Sequence, residues 1–456
     1  MTDTPQVPGS TIAAIATPPG PGAIGILRLS GPETARITRA VAGRIPPARQ
    51  ATLLPMYGAD GTLLDRGLVL YFPGPASYTG EDMVEFHTHG SPAILAALLQ
   101  SLYAQGASAA RPGEFTERAF LNGKLDLLQA EAVADLISSS TEQALKAANL
   151  AMAGHFSRAV ASVADRLIEV RALLEAGIDF SDESAVEEAH HLESLHAQTT
   201  QLRAEVGELL RNARHGALLA RGQRIVLCGS PNAGKSTLMN ALSGNARAIV
   251  SPQPGTTRDV LTAELDLSGM LVTLTDTAGL HEAEEEIEQE GIRRAMKEIT
   301  EADLVLLVYD AAQEQEPSVS LQRMLPAEDD RLIYVRNKID LLGEQPGQRQ
   351  SAAGPTEVAI TARNEQGLDI LRDNMRRALA REAETDTPLL ARERHLRALM
   401  EAESLVGFSS KEEFAADVVE TAERLRLAHQ ALRELTGEFT SEDLLGEIFG
   451  RFCIGK

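Results

Sequence analysis

The stretch that most constrains this chain is Gly229-Ser-Pro-Asn-Ala-Gly-Lys-Ser236, which matches the pattern GxxxxGK(S/T). It follows the apolar run Arg224-Ile-Val-Leu-Cys228 and precedes the helical pattern Thr237-Leu-Met-Asn-Ala-Leu242. A glycine-rich turn between a strand and a helix aims successive backbone N–H groups at one anion. Although such a turn can simply join two elements, this context predicts a nucleotide phosphate site. Lys235 would reach the β- and γ-phosphates, and Ser236 would bind Mg²⁺.

A second motif, Asn337-Lys-Ile-Asp340, predicts that the base is guanine. The Asp340 carboxylate can accept hydrogen bonds from the guanine N1–H and amine, which adenine does not offer in that arrangement. Thr361-Ala-Arg363 follows the run Val358-Ala-Ile360 and stands where such domains place a backbone contact to the base. NKxD alone also fits a loop that caps a helix, but downstream of a phosphate loop it favours GTP.

The segment Asp276-Thr-Ala-Gly279 ends the apolar run Leu271-Val-Thr-Leu-Thr275. Asp276 would hold Mg²⁺ through water, and the Gly279 N–H would approach the γ-phosphate. Between the two loops lies Gly255-Thr-Thr-Arg-Asp259, where a threonine can bind Mg²⁺ only while the γ-phosphate is present. In isolation, solvated threonines in a Pro/Gly loop would explain that segment equally well.

Leu280 stands where GTPases related to Ras have the glutamine that orients the attacking water. A carboxylate from the acidic run Glu282–Glu290 could replace that glutamine, although most of the run is expected to be solvated. Asn232, within the phosphate loop, offers a carbonyl oxygen that could ligate a monovalent cation in place of an arginine finger. As an ordinary turn residue it would need no ligand.

Composition limits the class of protein. A chain of 456 residues predicts two to four domains. We find no apolar run near the ~20 residues that a membrane helix needs and no apolar core of a signal peptide. The only two cysteines, Cys228 and Cys453, favour a reducing cytoplasm. A net charge of −22 excludes general polyelectrolyte binding of nucleic acid, so an RNA contact requires a local basic patch or a partner protein.

The pattern along the chain predicts a multidomain α/β protein. We expect an α+β module over residues 1–122, helical segments over 123–215 and 381–456, and a P-loop GTPase domain of the Ras-like α/β type over 216–380. The two helical segments would form one domain interrupted by the GTPase. The predicted helices are 32–42, 91–105, Leu128–Met152, Val160–Ala176 and Lys411–Leu435, with a capping box at Thr440-Ser-Glu-Asp443.

Together with the GTPase motifs, several short segments give the chain a family resemblance over essentially its whole length. They are Ala16-Thr-Pro-Pro-Gly20, Gly25-Ile-Leu-Arg28, Ser77-Tyr-Thr-Gly-Glu-Asp82, Arg111-Pro-Gly-Glu-Phe-Thr116, Lys124-Leu-Asp126 and Phe452-Cys-Ile-Gly-Lys456. With them the chain resembles the bacterial tRNA modification GTPases of the MnmE (TrmE) family. The GTPase motifs occur in many families, whereas the cysteine-containing tail is far more particular.

The resemblance implies a three-domain cytoplasmic homodimer whose amino-terminal modules pair and bind formyl- or methylene-tetrahydrofolate. It also implies a flavoprotein partner, MnmG (GidA), in a heterotetramer. Together the two proteins would place a carboxymethylaminomethyl or aminomethyl group on carbon 5 of the wobble uridine (position 34) of certain tRNAs. Mg²⁺ and K⁺ are the implied metal ions.

The resemblance also implies roles for individual residues. The folate contacts would be Arg28, Glu85, Lys124 and Lys456; the K⁺ contacts Asn232, Ser251, Gln253 and Thr256; and the Mg²⁺ ligands Ser236 and Thr257. Catalytic roles would fall to Lys235, Glu288 as the carboxylate that positions water, and Cys453. The full set of expected GTP-binding residues is Asn232, Ala233, Gly234, Lys235, Ser236, Thr237, Ser251, Pro252, Gln253, Pro254, Gly255, Thr256, Thr257, Asp276, Thr277, Ala278, Gly279, Asn337, Lys338, Asp340, Thr361, Ala362 and Arg363.

Three questions stay open at this point. Cys453 is either a surface structural thiol or a group brought to the folate site. The pair His87-Thr-His89 suggests a metal, but without a third ligand nearby ordinary polar loop residues explain it better. The alternative function is a ribosome-associated or signalling GTPase with a helical effector domain. A P-loop ATPase or kinase fits less well because NKxD favours guanine.

Overall fold

In the computed structural model, the described residues are 9–179, 185–245, 261–267, 269–276, 296–317, 331–350, 355–380, 389–438 and 442–456. The chain divides into two compact units. One comprises residues 1–137, 151–203 and 401–456, and the other comprises 138–150 and 204–400. No helix in the described ranges is both long and apolar enough to span a membrane.

The first unit contains a six-stranded sheet. Its strands are β1 (Ile12–Ile15), β2 (Gly22–Ser30), β3 (Thr52–Tyr57), β4 (Leu63–Phe72), β5 (Met83–Gly90) and β6 (Ser108–Ala109), in the spatial order β3-β4-β5-β2-β1-β6. All neighbouring strands are antiparallel except β1 and β6. The accompanying helices are α1 (Thr34–Ala42), α2 (Pro92–Ala104) and α3 (Glu114–Leu121). The helices predicted at 32–42 and 91–105 are therefore confirmed.

Alternation along β2 and β5 sorts the side chains between the two faces of this sheet. Leu27 on β2 and Phe86 on β5 are fully buried in a core cluster that apolar residues of α1 and α2 complete. Successive residues of a strand point to opposite faces. Arg28 and Glu85, which are paired directly across these two strands, therefore lie on the other face.

Four helices follow the first sheet along the chain: α4 (Leu127–Ser138), α5 (Glu142–Met152), α6 (His155–Asp179) and α7 (Ala185–Arg221). The prediction Val160–Ala176 lies inside α6. The single helix predicted over Leu128–Met152 is wrong. Thr141 ends it by capping α5, accepting the backbone N–H three residues later at 3.2 Å.

The second unit contains a seven-stranded, mostly parallel sheet. Its strands are β7 (Gln223–Gly229), β8 (Leu261–Leu267), β9 (Met270–Asp276), β10 (Leu304–Asp310), β11 (Leu332–Asn337), β12 (Gly347–Gln350) and β13 (Thr356–Ala359), in the order β12-β13-β11-β10-β7-β9-β8. Only the edge strands β8 and β12 run antiparallel to their neighbours. Helices α8 (Lys235–Asn245) and α9 (Leu368–Ala380) belong to this unit, as do 3-10 turns at Ile339–Leu342 and Ala362–Asn364. Residues 296–301 are also helical.

The central strand β10, with the sequence LVLLVYD, is buried at all seven positions. Its side chains enter two core clusters, one on each face of the sheet. This is the pattern of a parallel sheet covered on both sides. In such sheets, ligands bind beyond the carboxyl ends of the strands.

The last described helices are α10 (Glu393–Leu405), α11 (Lys411–Ala416), α12 (Val418–Thr436) and α13 (Glu442–Gly450). The single helix predicted over Lys411–Leu435 is wrong because Asp417 has an extended backbone and its carboxylate caps α12. The first two positions of the capping box predicted at Thr440-Ser-Glu-Asp443 lie outside the described residues. The predicted fold class is confirmed, whereas the domain boundaries stay a prediction.

Candidate functional site

The phosphate loop joins the carboxyl end of β7 to the first turn of α8, as predicted. Gly229 has φ +148°, and a Cβ there would lie 1.9 Å from the Val308 carbonyl oxygen of β10. Only glycine permits this close approach of the two strands. Asn232 takes a left-handed backbone at φ +63°, and its side chain is exposed at the loop surface, where a ligand can reach it.

Lys235 is buried, and its Nζ donates to the carbonyl oxygens of Gly229 and Ser230 at 2.9 and 3.0 Å. The ammonium group thus lies inside the curve of the loop. Burial lowers the pKa of Lys235, while the nearby Asp276 carboxylate opposes that shift. A desolvated cation enclosed by a loop of backbone N–H groups suits a polyphosphate.

Ser236 and Asp276 meet beside the phosphate loop. The exposed Ser236 hydroxyl donates to Asp276 Oδ2 at 3.2 Å, and Asp276, at the end of β9, is fully buried. A hydroxyl and a carboxylate oxygen so close together form a hard-oxygen pair of the kind that Mg²⁺ prefers. The structure therefore brings together two of the predicted Mg²⁺ contacts.

Asn337 connects three of the predicted motifs. Its Nδ2 donates to the Ala233 carbonyl oxygen of the phosphate loop at 2.9 Å. Its Oδ1 accepts from the Lys338 N–H at 2.8 Å and the Ala362 N–H at 3.0 Å. Since Asn337 is 2% exposed, these bonds are shielded from water and hold the loops in one arrangement.

Lys338 is positioned by a carboxylate that the sequence reasoning missed. Its Nζ lies 2.8 Å from Oδ2 of the buried Asp310, which ends β10. Burial raises the pKa of Asp310, but hydrogen bonds from Lys338 and the Ala312 N–H outweigh this and leave the pKa below its usual value. Asp340, by contrast, is exposed, so its carboxylate is open to a base. The sequence signal for Asp310 was its place directly after the apolar run 304–309. Only the pairing of β10 with β11 brings it beside Asn337.

Several predicted site residues lie outside the described residues. They are Ser251, Pro252, Gln253, Pro254, Gly255, Thr256, Thr257, Thr277, Ala278, Gly279 and Glu288. Their roles stay predictions.

A second group of predicted residues meets on the face of the first sheet opposite the core that α1 and α2 complete. Arg28 Nε lies 2.9 Å from Glu85 Oε1, and both side chains are largely buried, at 20% and 15% exposure. Arg28 Nη1 also donates to the carbonyl oxygen of Gly455 at 3.4 Å. The Arg28 guanidinium lies 5.8 Å from the centre of the Tyr78 ring, a residue that the sequence reasoning did not select.

The carboxyl-terminal tail is bound to the amino-terminal module by its backbone. The Gly113 N–H donates to the Cys453 carbonyl oxygen at 3.4 Å, and the Phe115 N–H donates to the Lys456 carbonyl oxygen at 3.2 Å. Gly455 has φ +93°, and a Cβ there would lie 2.4 Å from the Ile15 carbonyl oxygen. The tail is therefore bound through the carbonyl oxygens of Cys453, Gly455 and Lys456.

Lys456 and Cys453 carry the ammonium and thiol groups of this tail. Burial and the positive charge of Arg28 lower the pKa of Lys456, while Glu85 and Cys453 oppose the shift. Cys453 is exposed, in contrast to Cys228, whose pKa burial raises to about 12. A thiol, an ammonium and the Arg28–Glu85 pair thus share one neighbourhood.

Lys124 has a different partner from the rest of this group, since its Nζ donates to the Pro75 carbonyl oxygen at 3.0 Å. The interpretation of His87 and His89 as loop residues is wrong, because both lie in β5. His87 Nε2 lies 3.2 Å from Glu85 Oε2, and His89 Nδ1 lies 2.9 Å from Asp65 Oδ1. Among the described residues, no cluster of three or more His, Cys, Asp or Glu suits a metal ion.

Comparison with known proteins finds matches along most of the chain. The family model for the MnmE helical domain matches residues 127–453, and the model for the GTP-binding protein TrmE N-terminus matches 11–124. The tRNA modification GTPase MnmE of Azoarcus sp. is 47% identical over 454 residues, covering 98% of each chain. This chain belongs to the MnmE family. The MnmE of Stutzerimonas stutzeri is similarly close, with 45% identity over 98% of this chain and 99% of that protein.

Among solved structures, a variant of Era from Aquifex aeolicus bound to GDP and aluminium fluoride is 26% identical over 41% of this chain and 69% of that chain, with a TM-score of 0.28. A similarity this low adds nothing to the assignment. The matches to MnmE relatives extend over 98% of this chain. The alternative of a ribosome-associated or signalling GTPase therefore has no support from the relatives.

Proposed function

We propose that this MnmE-family protein is a K⁺-activated GTPase that modifies the wobble uridine of certain tRNAs. With a flavoprotein partner, MnmG (GidA), it would install a carboxymethylaminomethyl or aminomethyl group on carbon 5 of that base. The observation that carries the proposal is the meeting of Asn337, Ala233 and Ala362, which unites the phosphate and guanine motifs at one sheet edge.

In the GTPase site, each residue has a defined task. Lys235 leaves the loop carbonyls and donates to the β- and γ-phosphates, while the surrounding backbone N–H groups bind their oxygens. Ser236 and Thr257 would ligate Mg²⁺, and Asp276 would hold it through water. Asp340 accepts from the guanine N1–H and amine. The bound Mg²⁺ and K⁺ would supply positive charge to the transferring phosphoryl group.

The K⁺ ligands would be Asn232, Ser251, Gln253 and Thr256. Asn232 supports this role because its side chain is exposed on a left-handed turn of the phosphate loop. Because Leu280 cannot orient water, we assign that task to Glu288.

The tail and the amino-terminal module would form a one-carbon site for formyl- or methylene-tetrahydrofolate. Arg28, Lys124 and Lys456 offer positive charge to a polyanionic folate tail. Glu85 would accept from the amine and ring N–H of the pterin. The exposed Cys453 thiol would act on the one-carbon unit or position it.

For the whole protein we propose a cytoplasmic homodimer that pairs through its amino-terminal modules and forms a heterotetramer with MnmG. The proposed domains are residues 1–122, 123–215 with 381–456, and 216–380. With a net charge of −22, the protein would approach tRNA through a local patch or through its partner.

The test is mass spectrometry of wobble uridines in tRNA from cells that lack this protein. We expect the modified uridine to disappear, to return with the wild-type gene and to stay absent with Lys235→Ala. Unchanged wobble uridines in the deletion strain would refute the proposed function.

A further inference from the structure

The Glu85 carboxylate is held at both oxygens by its neighbours. Arg28 Nε contacts Oε1 at 2.9 Å, and His87 Nε2 contacts Oε2 at 3.2 Å. An ionised carboxylate can only accept, so His87 Nε2 carries the proton and donates it. The plane of the carboxylate is therefore set from two sides by side chains that are 20% and 26% exposed.

This arrangement leaves Glu85 able to accept further hydrogen bonds. A carboxylate offers roughly four acceptor positions, two on each oxygen. Arg28 and His87 use one on each oxygen, so one stays open on each. A ring with two adjacent N–H donors would fill both, as the amine and ring N–H of a reduced pterin do.

Without His87, the same charges would favour a closed pair. The Arg28 guanidinium is shared between Glu85 and the Gly455 carbonyl oxygen. Arginine and carboxylate groups readily form two parallel hydrogen bonds. If Oε2 lost its histidine donor, Glu85 could rotate onto Arg28, which would turn its two open acceptor positions away from the direction that His87 sets and draw Arg28 from the tail.

We propose that His87 is a positioning residue of the one-carbon site, which keeps Glu85 open to a ligand with two adjacent N–H donors. This inference rests on the proposed folate function. It assigns His87 an action through Glu85 rather than a contact with the ligand. His87 lies on the same sheet face as Glu85, two residues along β5.

The experiment measures binding of 5-formyl-tetrahydrofolate to the full chain by calorimetry, beside an analogue that lacks the 2-amino group. His87→Leu should weaken binding of the natural ligand about tenfold, the size of one lost charged hydrogen bond. The analogue should bind nearly as it does to the wild type, because it forms fewer bonds to Glu85. His87→Gln keeps an N–H donor and should restore most of the affinity.

His89→Leu is the matched control. His89 is a histidine on the same face of the same strand, but its ring bonds to Asp65 and it is 75% exposed. This variant should bind both ligands as the wild type does. Unchanged GTP hydrolysis would show that each variant is folded in the second unit, and an unchanged melting temperature would report on the first.

The outcomes distinguish a failure of the role proposed for His87 from a failure of the proposed folate-binding function. If Glu85→Ala loses binding while His87→Leu binds like the wild type, His87 has no positioning role and the folate site stands. If His87→Leu weakens the binding of both ligands equally, the histidine has only a structural packing role and the inference is overturned. If the wild-type chain binds no reduced folate, the inference falls together with the proposed one-carbon site.

Discussion

The two sites of this protein are built in opposite ways. The phosphate-binding residues lie within one strand–loop–helix segment, Gly229–Ser236. In the other site, Arg28 contacts Gly455, which is 427 positions away. The first needs local backbone geometry, and the second needs a tail docked by long-range packing. The local site should lose function when its own side chains are changed. The site that includes the tail should lose function whenever the tail no longer contacts the amino-terminal module.

The two groups also differ in charge environment. Lys235 lies inside a backbone loop, where its Nζ donates to two carbonyl oxygens. Arg28 is already paired with Glu85, so its charge is partly satisfied before any ligand arrives. Variants of the first site should therefore slow GTP hydrolysis strongly, and variants of the second should leave the rate of GTP hydrolysis unchanged. The two sites can thus be compared by measuring GTP hydrolysis in both sets of variants.

The largest effect should come from Lys235→Ala or Ser236→Ala. Removing one group that stabilises transition-state charge costs on the order of 10²–10³ in rate. Phosphate release at saturating GTP and Mg²⁺ would measure it. Binding of 5-formyl-tetrahydrofolate should stay normal and serves as the control. Hydrolysis near the wild-type rate in either variant would mean that the phosphate site is misassigned.

Potassium should have the next largest effect. An arginine finger contributes roughly 10³–10⁵-fold, and a K⁺ substitute recovering part of that should make hydrolysis about 10²-fold faster in K⁺ than in Na⁺. The comparison requires equal ionic strength. Asn232→Ala should remove the difference without loss of GTP affinity, because Lys235 is untouched. Glu288→Ala should slow hydrolysis in K⁺ yet permit pairing of GTPase domains. Equal rates in both salts would contradict the assignment of Asn232.

A smaller effect is expected from Asp340→Asn, which exchanges one acceptor for a donor at the exposed base-reading position. Loss of a charged hydrogen bond should weaken GTP binding about tenfold and shift the binding preference towards xanthosine triphosphate. Competition binding with GTP, xanthosine triphosphate and ATP measures the shift. Asn337→Ala is a useful contrast, since it should also loosen the phosphate loop that Asn337 holds. Unaltered selectivity in Asp340→Asn would remove this residue from the base pocket.

The smallest effect on hydrolysis should come from Cys453→Ser. Cys453 is not one of the GTPase-site residues, and substitutions at distant sites act nearly independently. The GTPase rate should therefore stay within about twofold of the wild type. Modification of wobble uridine in cells should nevertheless be lost, and Arg28→Ala should resemble it. Ile454→Ala, at the exposed neighbouring position, is the matched control and should keep modification. Full modification with Cys453→Ser would reduce the thiol to a structural group.

Several elements could be predicted without coordinates because their causes are local. The strand and helix that flank the phosphate loop, together with the helix α6, follow from apolar periodicity and glycine placement. The helix breaks at Thr141 and Asp417 were missed. There, a single capping side chain outweighed a periodic pattern that continued through the break.

The sequence by itself determined the nucleotide chemistry, since a phosphate loop and a guanine motif each act through neighbouring residues. Only the tertiary structure decided which side chains support them. Asp310 meets Lys338 because β10 and β11 are paired in register. The docking of Gly455 beside Arg28 likewise depends on packing between segments at opposite ends of the chain. No local pattern records such contacts, because their energy comes from surfaces brought together only by folding.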